Sequence, residues 1–492
     1  MDILLLNDSP ITQQRYRDLP ITMFSESNIA ASTAPSLIKL NENLLKQYGI
    51  DSDWFKSDKG LMTLAGNNAD PSNSPIAMAY SGHQFAHWVP VLGDGRAHML
   101  GQMKTNVGSL IDVQLKGSGR THYSRGGDGR ATLGSVLREY LISEAMAGLG
   151  IPTTRSLAIV KTGDTVQRES ITAGAILVRT AASHIRVGTF QYASATQDIS
   201  VIKALADFVI NQHFPELEQH NDKYLALLSE VVKQQAELIA QWMLVGFIHG
   251  VMNTDNMSIV SETIDYGPCA FMDTFKPNKV FSSIDRHSRY AWDQQANIAV
   301  WNLSRLAETL LPLLDLETES AVAVLEEQLA EFTPKFNFSL QQGMFKKFGF
   351  YQPVDKHSEF ISDSLTMLSE QEIDFTLFFN YLTNVHKGDA DEPLLELFSG
   401  RDKGIAWLTE WRQLKSDNPE IQIAMRRANP IFIARNHQVE KAIRAAEDNG
   451  DFSLFKRFAK SLVNPFEVSS DNEEFQLPPL PGEIVTQTFC GT

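Results

Sequence analysis

The feature that most constrains this chain is the segment HGVMNTDNMSIVSETIDYGP, residues 249–268. It spaces oxygen-bearing side chains at fixed intervals. Asp255 and Asn256 follow a His-Gly pair, and Asp265 opens an Asp-Tyr-Gly turn nine residues after Asn256. Hard cations such as Mg²⁺ prefer oxygen ligands. The segment therefore predicts a divalent-cation site at Asn256 and Asp265, although the same residue types also favour ordinary turns and helix caps.

The spacing is typical of kinase-like folds, where a catalytic-loop Asn and the Asp of an Asp-Phe-Gly turn hold the Mg²⁺ ions of ATP. Here Tyr266 replaces the Phe. In small-molecule kinases of this pattern the residue after His-Gly is the base Asp, whereas this chain has Val251, which cannot accept a proton. Either phosphoryl transfer has been lost, or another residue and reaction have replaced it. Asp255 is the obvious substitute.

The elements before this segment follow the kinase order. Apolar and polar residues alternate in LIDVQLK (110–116), which predicts a strand ending at Lys116. A glycine-rich loop (117–130) precedes a predicted helix at 134–148 that carries Glu139. In such a site the Lys binds phosphate and the Glu orients it. Spacing alone would equally fit a surface Lys and a solvated Glu, but the downstream segment favours the site. Further strands are predicted near 156–162 and 174–180, and helices at 222–246, 295–315, 320–332, 370–385 and 436–448.

This order predicts an α+β, bilobal protein-kinase-like fold with a mixed β N-lobe and a helical C-lobe. The expected divisions are an N-terminal segment (1–75), the N-lobe with its nucleotide-binding loops (76–190), the C-lobe with the metal and catalytic loop (191–330), and a helical C-terminal extension with a cysteine-containing tail (331–492).

Charge and hydropathy narrow the partners. The net charge of −16 argues against nucleic-acid binding. Since no apolar run approaches the roughly 18–20 residues of a membrane span and the start lacks a secretory signal, we expect a cytoplasmic protein without a membrane partner. Residues 116–138 are a basic exception, with five Lys or Arg against Asp128 and six glycines. Such an island suggests a site for a small polyanion.

Other candidate phosphate contacts are weaker by themselves. Arg179 and Arg186 could aim two planar donors at one phosphate, although a pair of surface salt bridges would look the same. Two Gly-Asp-Gly-Arg turns are also candidates, and either could be only a turn. They contain Gly93, Gly95 and Arg96 in the first and Asp128 and Gly129 in the second.

Several long motifs can then be compared together: SGHQF (81–85), LGDGRA (92–97), QLKGSGRTHYSRGGDGRA (114–131), REYLISEAM (138–146), SHIRVGTF (183–190), GVMNTDNMSI (250–259) and TIDYGP (263–268). Together these motifs closely resemble the selenoprotein O (SelO) family. The likeness extends almost end to end. The chain resembles a bacterial member, with Cys490 where some eukaryotic members carry selenocysteine.

The resemblance implies a pseudokinase fold that binds ATP in a flipped orientation and transfers AMP to Ser, Thr or Tyr hydroxyls of proteins. It also implies UMP transfer from UTP, favoured by Mn²⁺, in bacterial members. Carried over residue by residue, Asp255 is the base, Asn256 and Asp265 hold Mg²⁺ or Mn²⁺, and Glu139 pairs with Lys116. The implied nucleotide-binding residues are Gly93, Gly95, Arg96, Lys116, Asp128, Gly129, Arg179, Arg186 and Asp265.

Two alternatives remain beside this enzyme: a phosphoryl-transferring kinase and an inactive nucleotide-binding pseudokinase scaffold. Val251 argues against the first, and the intact pair Asn256 and Asp265 argues against the second.

The only cysteines, Cys269 and Cys490, exclude a disulfide framework and a Cys-based zinc site. A buried Cys269 with an exposed Cys490 is one expectation. The family's selenocysteine favours the other, a reversible disulfide between the two.

Overall fold

The structure, a computed structural model, describes residues 9–12, 14–68, 74–470 and 472–489. Its N-terminal part is built on β-sheet and its C-terminal part is helical. The strands are β1 Phe24–Glu26, β2 Ser36–Leu40, β3 Ile76–Met78, β4 Gly82–Gln84, β5 His87–Val89, β6 Ala97–Lys104, β7 Leu110–Lys116, β8 Ala131–Thr132, β9 Arg155–Gln167, β10 Ile171–Ala181, β11 Phe247–Ile248 and β12 Ala270–Phe271. The helices are α1 Glu42–Tyr48, α2 Asp53–Lys56, α3 Asp58–Leu64, α4 Leu133–Gly148, α5 Val187–Ala195, α6 Ile199–His213, α7 Lys223–Leu244, α8 Gln295–Leu310, α9 Thr318–Ala330, α10 Phe332–Phe348, α11 Asp355–Glu370, α12 Phe375–Lys387, α13 Glu392–Leu395, α14 Arg401–Leu414, α15 Pro419–Ala428, α16 Asn436–Asn449 and α17 Ser453–Leu462.

One antiparallel sheet organises the N-terminal part, with strand order β1-β3-β6-β7-β10-β9-β2. Strand β1 pairs with β3, and β2 pairs with β9. Strand pairing therefore joins residues before position 75 to the sheet formed after it. Strand β7 lies near the middle, and its last residue, Lys116, is opposite Ala97 on β6 and Leu177 on β10.

Strand β7 shows the predicted alternation, but its polar face is not in solvent. Val113 and Leu115 are fully buried on the apolar face. On the opposite face Asp112, Gln114 and Lys116 are buried as well, and Gln114 bonds to side chains of the cleft described below. A period of two sorts side chains between faces, and it does not reveal what covers each face.

Helix α4 is enclosed on all sides. It packs against β9 and β10 and, from the C-terminal extension, against α16 and α17. The hydroxyl of Thr132 caps it by accepting the backbone N–H of Ser135 at 3.3 Å. Glu139 is only 6% exposed, so the alternative of a solvated helix Glu is wrong.

Most predicted elements are present, with shifted ends. Strands β9 and β10 are longer than expected. The helix predicted at 370–385 begins only at Phe375, because the Asp374 carboxylate caps it by accepting the backbone N–H of Leu377 at 2.8 Å. Helix α8 gives way at Leu311 to a 3₁₀ turn that contains a proline. None of the described helices is both long and apolar enough to cross a membrane.

The C-terminal extension holds two deeply buried cations. Arg435 donates to Asp374 at 2.8 Å and to Asp273 at 2.5 Å, and so joins the extension to the chain just after the 249–268 segment. Lys347 donates to the Ala428 carbonyl at 3.3 Å and lies over the Phe379 ring. Burial lowers the pKa of Lys347 to about 7.

Candidate functional site

A cleft of about 460 Å³ opens between the sheet and the 249–268 segment. It brings together residues that are far apart in the sequence, including both Gly-Asp-Gly-Arg turns. The sequence-predicted residues that line it are Gly93, Gly95, Arg96, Lys116, Asp128, Gly129, Arg179, Arg186, Asp255, Asn256 and Asp265. Glu139 lies just outside, in a neighbouring pocket that also contains Lys116.

The predicted Lys–Glu pair is formed. Lys116 Nζ donates to Glu139 Oε2 at 2.6 Å and to Asp265 Oδ1 at 3.0 Å. Since Lys116 and Glu139 are both nearly buried, the pair is well shielded from water and fixes the ammonium beside Asp265.

The two arginines converge on the same carboxylate. Arg179 Nη1 donates to Asp265 Oδ1 at 2.8 Å, and Arg186 Nη1 donates to Asp265 Oδ2 at 2.7 Å. Both arginines are almost fully buried, so the alternative of surface salt bridges is wrong. Burial alone would raise the pKa of Asp265, but Lys116, Arg179 and Arg186 outweigh it and hold that pKa well below its usual range.

The backbone around Asp265 is held in an unusual shape. Asp265 has a φ of 62°, in the left-handed region, and His249 supports the turn through a 2.8 Å contact between its Nε2 and the Ile264 carbonyl. The hydroxyl of Tyr266, which a Phe would lack, bonds to Thr153. Arg138 donates to the carbonyls of Gly267 and Cys269. These contacts aim the Asp265 carboxylate into the cleft.

Asp255 lies at the other side of the cleft on a short 3₁₀ turn, Thr254–Asn256. Burial raises its pKa to about 6, although Arg186 opposes the shift. Its Oδ1 is buried without a hydrogen-bond partner among the described residues, and Oδ2 has only Gln84 Nε2 at 3.5 Å. The cleft therefore contains a poorly satisfied acceptor beside apolar Val251.

The residues fit a divalent cation. Asn256 Nδ2 donates to the Val251 carbonyl at 2.9 Å, which fixes the orientation of the amide and leaves Oδ1 available as a metal ligand. With the carboxylate of Asp265 across the cleft, this is an oxygen pair of the kind that Mg²⁺ and Mn²⁺ accept alongside phosphates and water.

The two glycine-rich turns pack against each other. Gly93 has a φ of 64°, and a Cβ there would lie 2.2 Å from the ring of Tyr123, which belongs to the glycine-rich loop 117–130. Gly129 has a φ of 67°, and its Cβ would lie 2.1 Å from the Gly119 carbonyl. Asp128 both shapes its turn, by accepting the Arg130 N–H, and pairs with Arg168 at 2.8 Å. The hydrogen bond from Arg168 lowers the pKa of Asp128 to about 2.

Sequence reasoning missed the residues that orient the arginines. Gln114 accepts from Arg179 Nε at 2.7 Å and donates to Asp94 at 3.0 Å, while the Tyr80 ring lies 4.6 Å from the Arg186 guanidinium. Gln114 could have been found, because it shares a strand face with Lys116. Nothing in the sequence around Tyr80 indicates its place beneath Arg186.

Of the two cysteines, Cys269 is fully buried, four residues after Asp265. Cys490 lies outside the described residues, so the disulfide stays a prediction. The described tail does reach this region, since Thr488 donates its hydroxyl to the Pro268 carbonyl at 2.5 Å.

Comparison with known proteins identifies the family of the chain. The model of the family described as "Protein adenylyltransferase SelO" matches residues 11–463. The chain belongs to the SelO family. Curated relatives named "Protein nucleotidyltransferase YdiU" include those of Shewanella denitrificans, 51% identical over 98% of both chains, and Clostridium botulinum, 46% identical over 99% of both. The relative from Rhizobium johnstonii is 48% identical and covers 97% of this chain and 96% of its own.

Proposed function

We propose that this SelO-family protein transfers AMP from ATP, or UMP from UTP, to Ser, Thr or Tyr hydroxyls of proteins. The names of the family and its relatives support nucleotidyl transfer to proteins. The observation that carries the proposal is the unpaired, buried Oδ1 of Asp255 in a cleft whose kinase-type base position holds Val251.

The same arrangement supports a kinase-like bilobal fold with altered chemistry. A strand Lys paired with a helix Glu, followed by a loop Asn and a turn Asp, is the order that phosphoryl-transferring kinases use. We propose with it an N-lobe at 76–190, to whose sheet β1 and β2 add strands, a C-lobe at 191–330 and an extension after it. In an ordinary kinase, however, no pair of buried arginines is needed at the inner end of the cleft.

Arg179 and Arg186 support a flipped nucleotide. Two buried guanidinium groups beside Lys116 are suited to the most highly charged part of the ligand, the γ-phosphate. A triphosphate with its γ-phosphate there would present its α-phosphorus toward Asp255. Buried Arg186 Nε has no partner among the described residues, so a further donor is available to a phosphate oxygen.

In the proposed reaction the acceptor oxygen attacks the α-phosphorus, and the bond between that phosphorus and the α,β-bridging oxygen breaks. Asp255 takes the hydroxyl proton, and pyrophosphate leaves with the bonding electrons. Asn256 and Asp265 would hold Mg²⁺ or Mn²⁺, and the ion would neutralise charge on the phosphates. Lys116, Arg179 and Arg186 hold the departing pyrophosphate, and Gly93, Gly95 and Gly129 let backbone approach the nucleotide closely.

The test uses ATP labelled separately at the α and γ positions, with intact-protein mass spectrometry of the acceptor. Incorporation of α label and a gain of one AMP mass are expected. Incorporation of γ label with one phosphate mass would instead support a kinase, and no label from either position would support an inactive scaffold. Asp265→Ala should lower transfer about a thousandfold, since electrostatic stabilisation is usually the largest catalytic effect.

We also propose that Cys269 and Cys490 form a reversible disulfide. The contact of Thr488 with Pro268, next to Cys269, supports this pairing. Such a bond would hold the tail against the turn that carries Asp265, and a reducing compartment would keep it labile.

A further inference from the structure

An acceptor hydroxyl that gives its proton to Asp255 must enter the cleft beside that residue. The rest of the acceptor chain must then lie against whatever borders the cleft there. Two segments form this border: the β4–β5 hairpin with its following residues (82–91) and the segment 281–290. Gln84, Phe85 and Ile284 from these segments line the cleft itself.

The border is tied firmly to the base. The backbone N–H of His83 donates to the Thr254 hydroxyl at 2.7 Å, next to Asp255. Asn253 Oδ1 accepts from the Phe85 N–H at 2.9 Å and from the Tyr290 hydroxyl at 2.6 Å. Both segments are therefore bonded to the residues just before Asp255, and a chain that docks on them is placed relative to the base.

The exposed side chains of the border are partly apolar. Ile284 is 52% exposed and Trp88 is 43% exposed. Trp88 packs on His83 at a ring distance of 5.0 Å, which leaves much of the indole open to solvent. Exposed large apolar side chains at the mouth of a polar cleft are typical of a protein contact surface.

The border is also basic, in a chain of net charge −16. Segment 281–290 contains Arg286 and Arg289 against one acid, Asp285, and segment 82–91 contains no Asp or Glu. The Asp285 carboxylate is occupied internally, because it accepts the backbone N–H groups of Arg289 and Tyr290 at 3.0 and 2.8 Å. Within the described part of the chain, Arg286 and Arg289 have no carboxylate at ion-pair distance, and Arg289 lies over the Trp301 ring. Lys276, just outside the border, pairs with Glu372.

We propose that residues 82–91 and 281–290 form the docking surface for the acceptor segment of the protein substrate, and that they select a hydroxyl residue flanked by acidic and apolar side chains. This inference rests on the proposed function and adds the chemical class of its acceptor. Charge complementarity acts chiefly on encounter and on apparent KM, because Arg286 is exposed and Arg289 is only partly buried at the rim.

The test uses synthetic peptides with one Tyr acceptor, flanked by Glu-Leu, Gln-Leu or Lys-Leu pairs. Transfer of α label from ATP by the full chain should show kcat/KM about three- to tenfold higher for the Glu peptide than for the Lys peptide, as expected for a few exposed charge pairs. The preference should shrink as salt rises from about 0.05 M to about 0.5 M, because screening lengths shorten.

Arg286→Glu supplies the decisive variant, since Arg286 is exposed and outside the cleft. It should reverse the order of the Glu and Lys peptides through KM, with the ATP dissociation constant unchanged. Arg426→Glu, the same charge change on α15, is the matched control and should preserve the wild-type order. Equal rates for all peptides, a Lys preference, or an unchanged order in Arg286→Glu would overturn the docking surface. Absence of α-label transfer to every acceptor, including the protein itself, would instead overturn the proposed function.

Discussion

Replacing Arg186 by Ala tests the flipped nucleotide most directly. The arginine is almost fully buried, and its Nη1 contacts both Asp265 Oδ2 at 2.7 Å and the Asp255 carbonyl at 2.8 Å. In the flipped orientation Arg186 binds the γ-phosphate. Because ADP lacks that phosphate, Arg186→Ala should weaken the binding of ATP far more than the binding of ADP.

The magnitude follows from the contacts. A hydrogen bond between charged groups contributes roughly 1.5–3 kcal/mol, which corresponds to about 10- to 150-fold in a dissociation constant. Without nucleotide, however, Arg186 is already bonded to Asp265, and breaking that contact offsets part of the binding free energy. We therefore expect Arg186→Ala to raise the dissociation constant of ATP by about tenfold, the low end of this range, and that of ADP by less than about threefold.

Isothermal titration with the α,β-methylene analogues of ATP and ADP measures both constants without turnover. Arg186→Lys keeps the charge and should recover part of the ATP affinity. Arg120→Ala removes an exposed arginine of the glycine-rich loop 117–130 whose guanidinium donates to the Gly126 carbonyl, and should not distinguish the two ligands. Equal weakening of ATP and ADP analogues by Arg186→Ala, in a protein that still unfolds cooperatively, would refute the orientation.

Three further predictions concern other parts of the chain. Asp255→Asn should lower the transfer rate roughly 10²–10⁴-fold with little change in the nucleotide dissociation constant; a parallel fall in affinity by titration would make Asp255 a ligand instead of a base. Cys490→Ser should raise transfer under oxidising conditions and have no effect after reduction, and free alkylation of both wild-type thiols after mild oxidation would contradict the disulfide. Lys347→Met should stabilise the protein near pH 7, because the folded state lowers the lysine pKa from 10.5 to about 7. Between pH 7 and pH 10.5 the unfolded state binds one more proton than the folded state, so the free energy of unfolding of the wild type rises with pH. The advantage of Lys347→Met in chemical denaturation should therefore shrink by a few kcal/mol toward pH 10. A difference in unfolding free energy that stays constant with pH would show that the lysine stays charged in the folded state.

Hydrophobic periodicity and the positions of Gly and Pro predicted much of the fold. Helix α4, helix α7 and strand β7 are where alternation or helical spacing placed them. The errors arise where a tertiary contact sets the end of an element, as when Asp374 starts α12. The pairing of β1 and β2 with the main sheet could not be predicted from the sequence, because it depends on which edge strands of the sheet remain unpaired.

For the site, residue types and chain order predicted its members better than its connections. Lys116, Glu139 and Asp265 were expected near one another, and the structure adds that both arginines share the Asp265 carboxylate. The roles of Tyr80, Asp94 and Arg168 come from packing between segments far apart in sequence. No local pattern encodes such a contact, so only the three-dimensional arrangement reveals it.

The carboxylate of Asp265 acts as an internal counter-ion for the three cations of the cleft. While Asp265 pairs with Lys116, Arg179 and Arg186, fewer of their N–H groups are free for a phosphate, and the oxygens of Asp265 are not free for a metal. In the proposed function, a divalent cation bound to Asp265 would release the three cations to the triphosphate, and a triphosphate bound to the three cations would release Asp265 to the metal. Each ligand should therefore raise the affinity of the other by the same factor, because linkage between binding sites is reciprocal. Neither free metal nor metal-free nucleotide should then occupy the site efficiently, and the cleft would discriminate in favour of their complex.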